Sequence, residues 1–167
     1  KDGVVKDDTR IVRALPTIEE LAKRGAKVLI LSHFGRPDGK RDEKESLRPI
    51  AAKLAALRGR PVTFADDCIG DPARNIARSM AAGDVAVLEN TRFHKGEEKN
   101  DRDFVAALAE NGDLYVNDAF SAAHRAHAST EGLAHLLPAY AGRSMQAELT
   151  ALDKALGSPV KPVAAVV

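Results

Sequence analysis

The sequence predicts an α/β fold, a three-layer α/β/α doubly wound parallel sheet, from three observations. Short apolar segments alternate along the chain with amphipathic segments of helical spacing, the pattern of right-handed β-α-β units. Several apolar segments are continuous, as strands buried on both faces are. Three of them release the chain into loops rich in His and Arg, where open α/β sheets place ligands.

Lys1–Lys6 reads as extended, and Asp7, Asp8 and Thr9 as helix-entry residues whose side-chain oxygens cap free N–H groups. Arg10–Leu15 is expected as a short turn, with Pro16 opening a helix over Thr17–Arg24 that buries Ile18, Leu21 and Ala22. Gly25 closes it, and Lys27–Ser32 follows as a strand buried on both faces. After the His33–Pro37 loop, Asp38–Glu45 carries charges of both signs and is expected to be solvated. Ser46 caps a helix from Leu47 to Arg58, with Pro49 tolerated in its first turn and Gly59 ending it. Pro61–Ala65 is the next strand, leading to the acidic pair Asp66-Asp67 and a helix over Pro72–Ala82.

Val85–Leu88 is the third buried strand. Gly96–Asn100 reads as a polar loop, Asp101 caps a helix over Arg102–Glu110, and Gly112 stops it before the strand Leu114–Asn117. Glu131–Leu137 is a short apolar helix. Gly142 precedes a longer one, Ser144–Leu156, with Met145, Leu149, Leu152 and Leu156 in one stripe. Gly157-Ser158-Pro159 breaks that helix, and Lys161–Val167 reads as a buried strand opening a second domain. The expected divisions are 1–143 for the main domain, 144–157 for a connecting helix, and 158–167 for the start of the next domain.

The totals exclude several classes of function. The 167 residues give one substantial core, which must be aliphatic because there is no Trp and only 4% aromatic content. A net charge of +1 supplies no overall field for nucleic acid or anionic membrane, so neither is expected as a partner. The single Cys68 rules out an internal disulfide and suits a reducing, cytoplasmic location; following an apolar strand, it reads as a buried filler with no evident base beside it. No apolar run approaches the ~20 residues of a membrane span, and no signal peptide is recognisable.

The three loops share an inventory: His33 and Arg36; Arg92 and His94; His124, Arg125 and His127. Emerging from one edge of a parallel sheet, they bring several guanidinium groups into one volume, and Arg10 is a candidate fourth arginine. Converging cations repel one another unless an anion lies between them, and the forked guanidinium matches phosphate or carboxylate. A zinc site at His124-x-x-His127 with His33 is disfavoured, because interleaved arginines oppose a cation. Gly35-Arg-Pro-Asp-Gly39-Lys40 is one residue short of a phosphate-binding P-loop and has Arg41 where Ser or Thr belongs. No Gly-x-Gly-x-x-Gly occurs. Asp66-Asp67 after a strand suggests a phospho-acceptor receiver domain, but that leaves the Arg/His loops unexplained, and the pair is read as solvated loop acids. The residues alone therefore lead to an α/β domain for a small phosphorylated or carboxylated ligand, with no reaction named.

Four stretches go further: Leu31-Ser32-His33-Phe34-Gly35-Arg36-Pro37, Leu88-Glu89-Asn90-Thr91-Arg92-Phe93-His94, Gly96-Glu97-Glu98-Lys99-Asn100-Asp101, and Val116-Asn117-Asp118-Ala119-Phe120 running on to Ala123-His124-Arg125-Ala126-His127. With Asp8-Thr9-Arg10 and Asp66-Asp67-Cys68-Ile69-Gly70, they closely resemble the phosphoglycerate kinases, collinearly and over nearly the whole chain. The resemblance is to the N-terminal, substrate-binding half of that Rossmann-like two-domain enzyme, with its connecting helix and the beginning of the nucleotide-binding half.

The resemblance implies transfer of a phosphoryl group from 1,3-bisphosphoglycerate to ADP, giving 3-phosphoglycerate and ATP in glycolysis and running in reverse in gluconeogenesis. It implies that His33, Arg36, Arg92 and Arg125 hold the triose phosphate within the loop that includes Phe34 and Gly35. His124 and His127 support the basic patch, and Arg10 sits at the reacting carboxyl as the catalytic residue. It implies Mg-ATP or Mg-ADP on the other half, no metal or cofactor on this one, and a monomeric full-length enzyme. The family's Asp-x-Asn-Val-Pro segment is expected just before Lys1 and its Gly-Gly-x-Lys run just after Val167; both fall outside the sequence. Ser121-Ala122 replaces the common Gly-Thr as ordinary loop variation. The expectation is weak 3-phosphoglycerate binding without turnover by these 167 residues; the rival is a non-catalytic anion-binding module on the same half-domain.

Overall fold

In the computed structural model, which describes residues 5–157 and Pro159, apolar side chains on the two faces of a small parallel sheet build two cores. Strands β1 (Val28–Ile30), β2 (Thr63–Ala65) and β3 (Val85–Leu88) lie in the order β1-β3-β2, all parallel. Successive residues of a strand point to opposite faces. Val28 and Ile30 of β1, Val85 and Val87 of β3, and Phe64 of β2 therefore face one core, with Ile18, Ala22, Leu47, Ala51 and Leu54 of the helical layer. Leu29, Leu31, Leu88 and Ala65 face the other, with Ala73, Phe104, Val105, Leu108 and Leu133. That is the three-layer arrangement the pattern predicts.

Helices α1 (Thr9–Lys23) and α2 (Arg48–Arg58) cover the first face, while α3 (Gly70–Ser79), α5 (Arg102–Ala109) and α6 (Leu133–Leu136) serve the second. Between α3 and α5 lies a single helical turn, α4 (Gly96–Lys99). Strand β4 (Tyr115–Asn117) is not hydrogen-bonded into the three-stranded sheet; it pairs in parallel with β5 (Ala139–Ala141), and α7 (Arg143–Leu152) follows.

Five expectations change. The expected turn and separate helix before Gly25 are one helix, α1, running through Pro16. Ile11, Ala14 and Leu15, ahead of Pro16, pack on the same core as Ile18 and Ala22 after it, and burial from both halves offsets the ~3 kcal/mol that an interior proline costs. Strand β1 is half-buried, not buried on both faces, because it lies at the edge of the three-stranded sheet. Asp38–Glu45 is exposed over most of its length, as expected, but is not irregular throughout: Glu43–Glu45 forms a 3₁₀ turn, and the side chain of Glu45 lies where a Cβ on Gly35 would project. Gly96–Asn100 folds as α4, and a Cβ on Gly96 would come within 2.6 Å of Phe104, so glycine is what lets this turn seat on α5. Helix α7 runs on into a π-helical turn over Asp153–Gly157, so the helical span is as expected, but its stripe is not a buried face: Met145 is buried, while Leu149, Leu152 and Leu156 are exposed. The strand expected over 161–167 lies outside the described residues.

Capping at α5 follows the sequence, with Asp101 Oδ1 accepting from Phe104 N at 3.1 Å. Arg48 N donates to Ser46 Oγ at 3.2 Å, and Gly59 ends α2 in the left-handed conformation (φ 62°). One tertiary knot joins distant segments. Thr17 Oγ1 on α1 donates to Asp118 Oδ2 at 2.7 Å and accepts from Arg143 N at 2.8 Å. Asp118 Oδ1 also accepts from Met145 N at 2.9 Å, capping α7. A Cβ on Gly142 would collide with Asp118, so the chain passes there as glycine.

Candidate functional site

Two of the three loops are stitched together by buried polar side chains that follow β3. Asn90, 1% exposed, accepts from Phe34 N at 3.3 Å and from Arg92 N at 3.1 Å through Oδ1. Its Nδ2 donates to Phe34 O at 2.8 Å and to Glu45 O at 2.9 Å. Beside it, Glu89 accepts from Ser46 Oγ (2.7 Å), Leu47 N (2.8 Å) and its neighbour Asn90 N (2.8 Å). Thr91 N donates to Ser32 O at 3.1 Å. Arg92, 6% exposed, donates from Nη1 to Gly35 O at 2.8 Å, and Gly39 N donates back to Arg92 O at 3.2 Å. Each bond satisfies a group that burial would otherwise leave costly. The result fixes the His33–Pro37 loop against the Arg92 turn.

The third loop is anchored from below. Glu97 on α4, fully buried, accepts from Ser129 N at 3.1 Å and from Ser129 Oγ. Thr130 Oγ1 donates to Arg125 O at 2.6 Å and accepts from His127 N at 3.2 Å, holding the Arg125–Thr130 turn. Burial raises the Glu97 carboxyl above its ordinary range, against the pull of the Ser129 bonds and of His127 and Arg92.

His33 reports what these loops bring together. Its imidazole is held at a pKa of about 4, first by burial and then by the charges of Arg92, Arg125, His127 and Arg10. Four basic side chains from α1 and two loops therefore bear on one ring. Phe34 is 48% exposed and Gly35 is used through its carbonyl. Arg36 and His124 are exposed and lie outside the set of charges that act most on His33.

His94 parts company with this cluster. Its Nε2 lies 2.7 Å from Asp67 Oδ1 and its ring stacks on Phe104 at 5.1 Å. Nor is Asp67 a solvated loop acid: it is half-buried and also accepts from Cys68 N and Ile69 N. Burial alone would raise its carboxyl, but the bonds from His94 and the two amides hold it below the ordinary value. Cys68 thus does have a base nearby, yet burial and the neighbouring Asp67 and Glu97 push its thiol up, which disfavours a free thiolate in the absence of a cation. The sequence alone does not expose Glu89, Asn90 and Glu97 as positioning residues; the one signal is that polar residues directly continue the buried strand Val85–Leu88.

The arrangement is an anion bed. Buried Arg92 keeps Nε and Nη2 without a hydrogen-bond acceptor, although Nε lies 3.2 Å from a Glu98 carboxylate oxygen. A phosphate or carboxylate placed beside Arg92, Arg125 and His33 would neutralise the crowded charge.

The state of His33 gives a pH signature. Above about pH 6.5 the ring is neutral folded and unfolded, and it makes no pH-dependent difference. From about 6.5 down to about 4 the unfolded chain takes up a proton that the folded chain refuses, so stability falls; below about 4 the loss levels off. An anion among the arginines removes part of the repulsion, so a saturating phosphate or carboxylate ligand is expected to raise the His33 midpoint by at least about one pH unit. Histidine-resolved NMR titration checks this, and a free-state midpoint near 6.5 would contradict the cluster.

Comparison with known proteins gives a consistent answer. A family model described as phosphoglycerate kinase matches residues 1–167. The phosphoglycerate kinase of Chelativorans sp. is 64% identical over 167 residues, all of this chain and 42% of that protein. That of Rhodopseudomonas palustris is 66% identical over 165 residues, 99% of this chain and 41% of that protein. The chain thus spans about two fifths of the length of these curated relatives. Among solved structures, phosphoglycerate kinase from Coxiella burnetii superposes with a TM-score of 0.86 at 40% identity, covering 97% of this chain and 40% of that one. The Pyrococcus horikoshii enzyme gives 0.86 at 34% identity, with 97% and 41% covered.

Proposed function

The chain belongs to the phosphoglycerate kinase family, and from that premise we propose that it supplies the part of a phosphoglycerate kinase that binds 3-phosphoglycerate and 1,3-bisphosphoglycerate. In the reaction, the bond between the C1 carboxyl oxygen and phosphorus breaks, the β-phosphate oxygen of ADP takes the phosphoryl group, and 3-phosphoglycerate leaves as a carboxylate. The observation that carries this reading is the convergence of Arg10, Arg92, Arg125 and His127 on His33.

Arg92 and Arg125, with His33 and Arg36, hold the triose phosphate, and His124 and His127 flank it. Arg10, at the first turn of α1 and exposed, is the catalytic residue: it meets the reacting carboxyl and stabilises charge on the transferring group. Positioning and charge neutralisation are what phosphoryl transfer requires of a protein. The charges that act on His33 are cationic and disfavour a magnesium ion beside it, so Mg-ATP and Mg-ADP are assigned to other residues of the enzyme. The division at 1–143, 144–157 and 158–167, a monomeric state and a cytoplasmic location belong to the same proposal. Among the described residues, no helix is long and apolar enough to cross a membrane.

Calorimetric titration with 3-phosphoglycerate tests the site. Arg125 is exposed, so Arg125→Ala removes its charge without opening the core. Loss of a charge-assisted bond of about 1.5–3 kcal/mol predicts binding weaker by roughly 10- to 150-fold. Unchanged affinity would mean that the basic cluster is misassigned. Binding without ATP formation by an enzyme of full family length would favour the anion-binding module instead.

A further inference from the structure

Outside the anion bed, Asp67, Cys68 and His94 place three different metal-ligating atoms within 4.8 Å of one another. We propose that Asp67, Cys68 and His94 form a site for a thiophilic divalent cation, zinc being the best match, with water as a fourth ligand. A tetrahedral zinc ion with bonds of about 2.0–2.3 Å separates its ligand atoms by roughly 3.3–3.8 Å. The His94 Nε2–Asp67 Oδ1 distance of 2.7 Å must therefore open, while no separation in the group exceeds 4.8 Å.

The cluster has the supports a metal site needs. The His94 ring is oriented by stacking on Phe104. Asp67 is held by Cys68 N and Ile69 N, and the Cys68 carbonyl accepts from Asn111 Nδ2 at 3.1 Å. A cleft of about 110 Å³ reaches Asp67 and His94, lined also by Arg41, Asp66, Glu89 and Phe93, while Cys68 is fully buried. Three of these are acids, and the one arginine is engaged by Glu43 and by the Asp66 carbonyl. The setting differs from the His124 and His127 turn, where arginines oppose a cation. On binding, the Cys68 thiol gives its proton to solvent and the thiolate takes the metal. His94 keeps its ring proton on Nδ1 and offers the Nε2 lone pair, ending its hydrogen bond to Asp67.

Cobalt(II) is the probe, because thiolate ligation adds an ultraviolet sulfur-to-cobalt charge-transfer band beside the visible bands of a tetrahedral ion. Titrating the protein with cobalt(II) is expected to give both, with zinc displacing it. Cys68→Ser is expected to abolish the ultraviolet band. His94→Gln is expected to weaken zinc binding at least about tenfold, the size of loss already seen when an outer-shell partner is removed. His127→Gln is expected to change neither. X-ray absorption of the zinc-loaded parent protein needs no variant and is expected to show one sulfur at about 2.3 Å. Absence of that sulfur, a band that survives Cys68→Ser, or binding lost through His127→Gln would overturn the site.

Discussion

Asn90→Ala is expected to destabilise the protein by about 3 kcal/mol, because truncation strands buried groups that each cost about 1–3 kcal/mol when unpaired. The residue closes four hydrogen bonds, to Phe34 N, Phe34 O, Glu45 O and Arg92 N. Those partners lie on both loops that frame His33, so local order and global stability fall together. Asn90→Asp is expected to be at least as damaging despite its equal size. It keeps the acceptor facing Phe34 N and Arg92 N but turns a carboxylate oxygen toward two carbonyls. Urea unfolding checks the stability, and a melting temperature lower by about 10 °C is the thermal counterpart. A change below about 0.5 kcal/mol would mean that water replaces the side chain without cost.

Arg92→Met is expected to weaken 3-phosphoglycerate binding by about two orders of magnitude or more. Two losses combine, each of a size that shifts affinity roughly tenfold or more. One is the loss of the Arg92 guanidinium charge, which bears on His33. The other is the Nη1 bond to Gly35 O, which holds the His33–Pro37 loop in place. Arg92→Lys is expected to restore little, since one ammonium cannot serve the Gly35 carbonyl and an anion with the geometry of a planar fork. Calorimetry at fixed ionic strength measures both variants. Affinity within about threefold of the parent protein would make Arg92 a structural residue only.

What the sequence reveals of the site is its chemistry, and what it hides is the division of labour. Arg10, His33, Arg92, Arg125 and His127 are read from the sequence because cations gathered where buried strands end need an anion to neutralise them, and the charges of the other four act with burial to hold the His33 imidazole low. His94 carries the same signal and does something else, since side-chain direction in a 3₁₀ turn is not encoded by residue type. The fold is legible where apolar runs are long or clearly periodic, as at Val85–Leu88, whose limits match the expectation. It is illegible where burial is achieved by polar residues, as at Glu97 on α4, or where a strand is exposed throughout, as at Ala139–Ala141. In α1, contacts on both sides of Pro16 outweigh a local rule, which no window of sequence can weigh.

The knot of Thr17, Asp118, Arg143 and Met145 bears on the order in which the molecule assembles. Its bonds span 101 and 126 residues of chain. Closing the longer loop costs about 2 kcal/mol more chain entropy than a ten-residue turn. Contacts so remote in sequence form late in folding, after local helices and neighbouring strands. On the ribosome, Arg10 emerges more than a hundred residues before the segment that locks its helix to the Arg125 loop. The nascent chain therefore carries Arg10 on a helix that is not locked until the segment around Arg143 has emerged.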